Sequence, residues 1–189
     1  MSGNTQSDEE IVALVQRGDS ERYGELMQRY EEKLRRYGKR FLDRSDDIVD
    51  LVQDVFVQTY RNIQSFDTAQ RFSPWIYRIA HNAFVNELRR KKRSPIVLPD
   101  FDLLLSHTPT SESADEESER GALTRMVEKG LSNVAPKFRE ILILYFMEDL
   151  SYREISDVLR IPVGTVGVRL TRAKKALRGA YETLNIPYE

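Results

Sequence analysis

The chain has 189 residues, 29 basic against 30 acidic side chains and a net charge of −1, a size that allows one medium or two small domains. With no cysteine and two isolated histidines, His81 and His107, disulfides and thiolate metal sites are excluded, and no metal or other cofactor is expected. No apolar run approaches the roughly 18 residues of a membrane span, and MSGNTQSDEE lacks the basic start and apolar stretch of an export signal, so a cytoplasmic protein is expected.

Periodicity is helical throughout, which predicts an all-α fold. Ile11, Leu14 and Val15 mark a short first helix ending near Gly18, and Tyr23, Leu26, Met27, Tyr30, Leu34, Tyr37 and Phe41 trace a second. A third begins near Ser45, with Asp46 and Asp47 opposing the helix dipole, and turns Ile48, Leu51, Val52, Val55, Phe56, Tyr60 and Ile63 inward. Its opposite face carries Asp50, Gln53, Asp54 and Val57 at i, i+3, i+4 and i+7. Such a face is either merely solvated or partner-binding; an outward valine among acids leaves both readings open.

After a loop over 64–72, Ser73 and Pro74 have the chemistry of an N-cap and a first helical residue. The fourth helix is expected to bury Trp75, Ile76, Ile79, Ala80, Ala83, Phe84 and Leu88, leaving Arg78, Asn82, Asn86 and Arg89 on the other side, and to place His81 on its surface. Segment 61–93 holds eight basic residues against two acidic. Its mixture of cations and aromatics, Arg61, Phe66, Arg71, Phe72, Trp75, Tyr77 and Arg78, is what grips single-stranded DNA. The plainer alternative, expected for at least two of Phe66, Phe72 and Trp75, is that they are core. Loop 64–72 is a place to hold a flipped base.

A first domain therefore spans 1–93. Residues 94–119, with three prolines, seven acids and no base, read as a flexible acidic linker, interrupted by the apolar cluster Leu98, Phe101, Leu103, Leu104 and Leu105. The second domain, 120–189, reads as four helices over about 120–132, 136–147, 151–158 and 163–184. Ser151 and Glu154 have capping-box spacing, the break at Leu159-Arg160-Ile161-Pro162 ends that helix, and the next buries Val166, Leu170, Ala173 and Leu177. This is a helix-turn-helix, whose second helix enters the major groove with Arg169, Arg172, Lys174, Lys175 and Arg178 to supply charge.

Together these motifs resemble bacterial RNA polymerase sigma factors of the extracytoplasmic-function (ECF) group. Asp50-Leu51-Val52-Gln53-Asp54-Val55-Phe56 is similar to the family's polymerase-binding segment. Ser65-Phe66 followed by Phe72-Ser73-Pro74-Trp75-Ile76-Tyr77-Arg78-Ile79-Ala80-His81-Asn82 is similar to its promoter-melting segment. Leu150-Ser151-Tyr152-Arg153-Glu154-Ile155 with Pro162-Val163-Gly164-Thr165-Val166 is similar to its final helix-turn-helix.

The resemblance implies core RNA polymerase as a partner, engaged at the clamp helices of its largest subunit and at its flap. Promoter DNA and an anti-sigma factor are the other implied partners, and membrane insertion is not expected. Asp50, Gln53, Asp54 and Phe56 would contact polymerase. Phe66, Arg71, Trp75, Arg78, Asn82, Asn86 and Arg89 would recognise and open the −10 element. Arg153, Thr165, Arg169, Arg172 and Lys174 would bind the −35 duplex. From position on the helix, Arg169, nearer the N-terminal end that enters the groove, is expected to read a base and Arg172 to hold phosphate. One departure stands out. Where the family commonly carries a basic residue and then serine, this chain has Gly167 and Val168, and the glycine weakens a helix by roughly 1 kcal/mol relative to alanine.

The rival reading is a helix-turn-helix regulator with an N-terminal sensor or dimerisation domain. No catalytic residue is expected, since the chain has no phosphate loop, nucleophile–histidine pair or carboxylate cluster at ligand spacing.

Overall fold

The computed structural model describes residues 6–42, 44–91, 130–131 and 133–183. The expected linker with its apolar cluster, His107, and the expected helix over 120–132, apart from two of its residues, lie outside that set. Among the described residues all regular structure is helical, and these residues form two compact units, mainly the part up to Lys91 and the part from Gly130 onward.

The N-terminal unit comprises α1 (Asp8–Gln16), α2 (Tyr23–Gly38), α3 (Ser45–Asn62) and α4 (Phe72–Lys91). A reciprocal capping box starts α1. Ser7 Oγ accepts from the N–H of Glu10 at 3.1 Å while the Glu10 carboxylate accepts from the N–H of Ser7 at 2.8 Å, which satisfies two otherwise orphaned donors. Gly18, at φ +107, then takes the left-handed conformation that stops the helix. Ile11, Val12, Leu26, Leu34, Val55 and Ile76 meet in the core with Tyr37, Phe72 and Phe84. Gly38 is the tight point. A Cβ there would come within 2.6 Å of the Phe84 ring and 2.9 Å of Ile48, so α2 approaches its neighbours closely only because that side chain is absent.

Several expectations are corrected. Helix α4 begins at Phe72, one residue before the expected Ser73 cap, because the Phe72 N–H is satisfied instead by Glu9 Oε1 of α1 at 2.7 Å. Its buried side is also rotated. Tyr77 and His81 are buried, whereas Trp75, Ile79 and Ala83 are only half-buried, because α4 packs against α1, α2 and α3 rather than on a single face. Tyr60 is 43% exposed, lying as a rim against the Tyr23 ring at 5.0 Å, and Met27 sits at the edge of the α2 stripe.

The C-terminal unit holds α5 (Pro136–Leu142), continued by a π turn over Ile143–Met147, then α6 (Tyr152–Leu159) and α7 (Val163–Thr183). Ile141, Leu142, Ile143 and Leu144 are all buried, a run that the change of pitch helps to accommodate. The expected capping box opens α6, with Ser151 and Glu154 bonded both ways at 2.7 and 3.3 Å. Arg160 closes α6 in the left-handed conformation at φ 54. Val166, Leu170 and Ala173 are buried on α7 as expected, and Leu177 is half-buried.

Candidate nucleic-acid interface

On α3, Asp50, Gln53, Asp54 and Val57 are all exposed, the valine by 47%. They form one outward strip over about two turns. Phe56 is 4% exposed and belongs to the core, where its carbonyl accepts from the buried Tyr23 hydroxyl at 2.7 Å. Burial pushes the Tyr23 phenol well above its ordinary range, against a smaller opposing hydrogen bond from Thr59.

Between α3 and α4 the chain makes a short 3₁₀ turn, Ile63–Ser65, and then an exposed loop over 67–71. Both ends of that loop are held by α1. Gln16 Nε2 donates to the carbonyls of Ile63 at 2.7 Å and Phe66 at 2.8 Å, while Glu9 holds the Phe72 N–H at the other end. Inside the loop, Asp67 Oδ1 accepts from the N–H of Ala69 at 3.0 Å, the side-chain turn typical of aspartate. Phe66 is 8% exposed and packs edge-on to Phe72 at 5.7 Å and against Trp75 at 4.9 Å. Of the three aromatic rings here, Phe66 and Phe72 are therefore core, and Trp75, half-buried, is the one partly open to solvent. The sequence pattern missed Gln16 and Glu9 altogether.

From Trp75 the surface continues along α4. Residues 75, 78, 82, 86 and 89 are spaced 3, 4, 4 and 3 apart, which at 3.6 residues per turn keeps them within one stripe roughly 20 Å long. Arg78, Asn86 and Arg89 are exposed and Asn82 half-buried, while Arg71 is exposed just before the helix. The stripe thus offers a ring edge, amides that donate and accept, and guanidinium groups. At the C-terminal end, Arg90 forks onto Glu87 at 2.6 and 2.8 Å, and Lys91 pairs with Asp47 of α3. These hydrogen bonds hold the Glu87 and Asp47 carboxyls below their ordinary values.

In the C-terminal unit Arg153 is exposed on α6, and Thr165 lies half-buried in the first turn of α7. Arg172, Lys174 and Lys175 are exposed, with Lys174 extended over the Tyr145 and Phe146 rings at 5.1 and 5.2 Å. Arg169 is half-buried, about 100° around the helix from Val168 towards the buried stripe. Among the described residues no group of His, Asp and Glu is arranged to hold a metal ion, and no helix is long and apolar enough to cross a membrane.

Residues 26–94 match Sigma-70 region 2 and residues 124–177 match Sigma-70, region 4. The chain is 30% identical over 176 residues to the ECF RNA polymerase sigma factor SigW of Bacillus subtilis, covering 88% of this chain and 92% of that protein. The chain belongs to the ECF sigma factors. A second relative, the ECF RNA polymerase sigma-E factor of Haemophilus influenzae, is 31% identical over 187 residues, covering 94% of this sigma factor and 97% of its relative. The fold is shared with CnrH, solved in complex with the cytosolic domain of CnrY, at TM-score 0.64 and 24% identity over 94% of this chain and 99% of that one. It is shared too with the sigma factor RpoE of Bartonella quintana, solved with the anti-sigma factor NepR, at TM-score 0.65 and 20% identity over 85% and 96% of the two chains. As an ECF sigma factor the protein directs transcription initiation, and the rival regulator reading is not favoured.

Proposed function

We propose how the work of promoter-specific initiation is divided along this chain. Domain 1–93 binds core polymerase through the α3 strip of Asp50, Gln53 and Asp54, with Phe56 acting from the core by holding the helix in place. The same domain opens the −10 element with loop 67–71 and the α4 stripe of Trp75, Arg78, Asn82, Asn86 and Arg89. Arg71 adds a cation at the start of that stripe, and Phe66 shapes its floor. The observation that carries this reading is the α4 stripe itself, a half-open aromatic ring followed by amides and cations over four turns, the combination that binds unstacked bases and their phosphates.

Domain 120–189 reads the −35 duplex through α6 and α7, with Arg153 and Thr165 at the groove edge. Arg172 faces outward and takes the base-reading role first expected of Arg169, which from its flank position holds phosphate, as does Lys174. Residues 94–119 join the domains. Two structures of the same fold hold CnrY and the anti-sigma factor NepR, which supports an anti-sigma factor as a further partner of this chain. The protein acts without catalysis of its own, in the cytoplasm.

Run-off transcription tests the division of labour. Core polymerase supplemented with the protein is expected to start transcripts at defined sites, and Arg78→Ala is expected to reduce opening at those sites with start positions unchanged. Starts that do not depend on the added protein would exclude the reading.

A further inference from the structure

We propose that Val168 reads the C5-methyl group of one thymine in the −35 duplex, so that this protein selects a T·A pair there by apolar contact. The inference rests on the reading of α7 as the helix that enters the −35 groove.

Each residue of α7 advances about 100° around the axis, so a side chain two positions from a buried one points almost directly away from it. Val168 stands in that relation to both Val166 and Leu170, which are 0% and 1% exposed, and is itself 54% exposed. It is therefore the centre of the outward face. Gly164, Thr171, Arg172 and Lys175 share that face and are exposed around it. Neither Gly164 nor Gly167 adds a side chain that would hold the helix away from a surface, and the open space at Gly164 permits close approach. The Thr171 hydroxyl donates to the Gly167 carbonyl at 3.0 Å, so this donor is satisfied within the helix.

The face is thus apolar at its centre and cationic around it. A major groove fits it. Phosphates line the groove walls, and on its floor thymine alone among the bases presents a methyl group. An isopropyl side chain has no donor or acceptor with which to read guanine, adenine or cytosine, which leaves the methyl group as the feature it can distinguish. Arg172, one turn further along, is placed to read a base beside it.

Deoxyuridine provides the test, because it removes the methyl group and keeps every hydrogen-bonding group of thymine. Holoenzyme made from the full chain and core polymerase would first select −35 sequences from a randomised duplex library, and each thymine of the selected element would then be replaced in turn. At one position the loss of the methyl is expected to weaken binding about fourfold, the equivalent of one buried methyl-sized group. Val168→Ala holoenzyme is expected to bind the thymine duplex about that much more weakly and to lose less on replacement of that thymine by uracil. The proposal falls if uracil is tolerated at every position, or if the alanine variant remains equally sensitive to it, even though −35 selection persists. Holoenzyme that selects no −35 sequence at all would overturn the groove-reading role of α7 together with the proposal.

Discussion

The Tyr37 hydroxyl of α2 meets Nδ1 of His81 on α4 at 3.1 Å in the buried interior of the N-terminal unit. The Tyr77 ring stands edge-on to Tyr37 at 5.2 Å, and Phe41 edge-on to His81 at 6.0 Å. This directional pair fixes the rotation of α4 about its own axis, which an apolar contact alone defines less sharply. With His81 turned inward, Asn82 lies about 100° around the helix and joins the stripe with Arg78, Asn86 and Arg89.

That rotation makes the proposed role of Asn82 separable from folding. Asn82→Ala is expected to reduce permanganate-detected opening of the −10 region while holoenzyme binding to the −35 duplex is retained, since the two steps use different units. Equal loss of both would show that the substitution acts through the fold.

The proposed polymerase-binding role of the α3 strip is separable in the same way. Asp54 is exposed, and exposed substitutions usually change stability by under about 0.5 kcal/mol. Asp54→Lys is expected to weaken association with core polymerase in a pull-down or titration, with an unchanged melting temperature. Undiminished affinity would remove this strip from the polymerase interface.

Two glycines are expected to respond in opposite directions. Gly38→Ala drives a methyl group into Phe84 and Ile48, an overpacking that costs about 1–3 kcal/mol. Gly167→Ala brings its methyl to 3.5 Å from the Tyr152 ring, an ordinary contact, and gains about 1 kcal/mol of helix propensity. Denaturation followed by the single tryptophan, Trp75, reports on the first, and circular dichroism of the C-terminal transition on the second.

Alkali tests the buried phenol. Because burial raises the Tyr23 pKa above its ordinary value of 10, the folded state holds the proton more tightly than the unfolded chain does. Its contribution is fully present below about pH 10 and is lost as pH rises through the folded value. Tyr23→Phe is expected to lower stability at neutral pH by about 1 kcal/mol through the lost hydrogen bond to Phe56. Above pH 10 its stability is expected to fall less steeply than that of the parent in denaturant titrations read by Trp75. Parallel pH curves would show that Tyr23 has the same pKa in the folded and the unfolded chain.

The helices were legible because their apolar stripes and caps are local signals. Ser151 and Glu154 announce α6 from three residues apart, and the outward strip of Asp50, Gln53, Asp54 and Val57 follows from spacing alone. His81 and Tyr77 were not legible, since polar-tipped rings suit either side of a helix and only their partner Tyr37, from another helix, turns them inward. Gln16 and Glu9 were further out of reach. Their hydrogen bonds join residues 47 to 63 positions apart, and nothing in the pattern of α1 distinguishes them from other solvated polar groups.

Those same bonds decide where a fragment of this half can begin. The match to Sigma-70 region 2 begins at Leu26, whereas both anchors of loop 67–71 on α1 lie before it. A fragment cut at Leu26 would keep every position matched to Sigma-70 region 2, yet release the loop at both ends. The region 2 match is therefore shorter than the piece that holds loop 67–71, and fragments made to test the loop's proposed part in strand opening have to begin at or before Ser7, where the cap of α1 is formed.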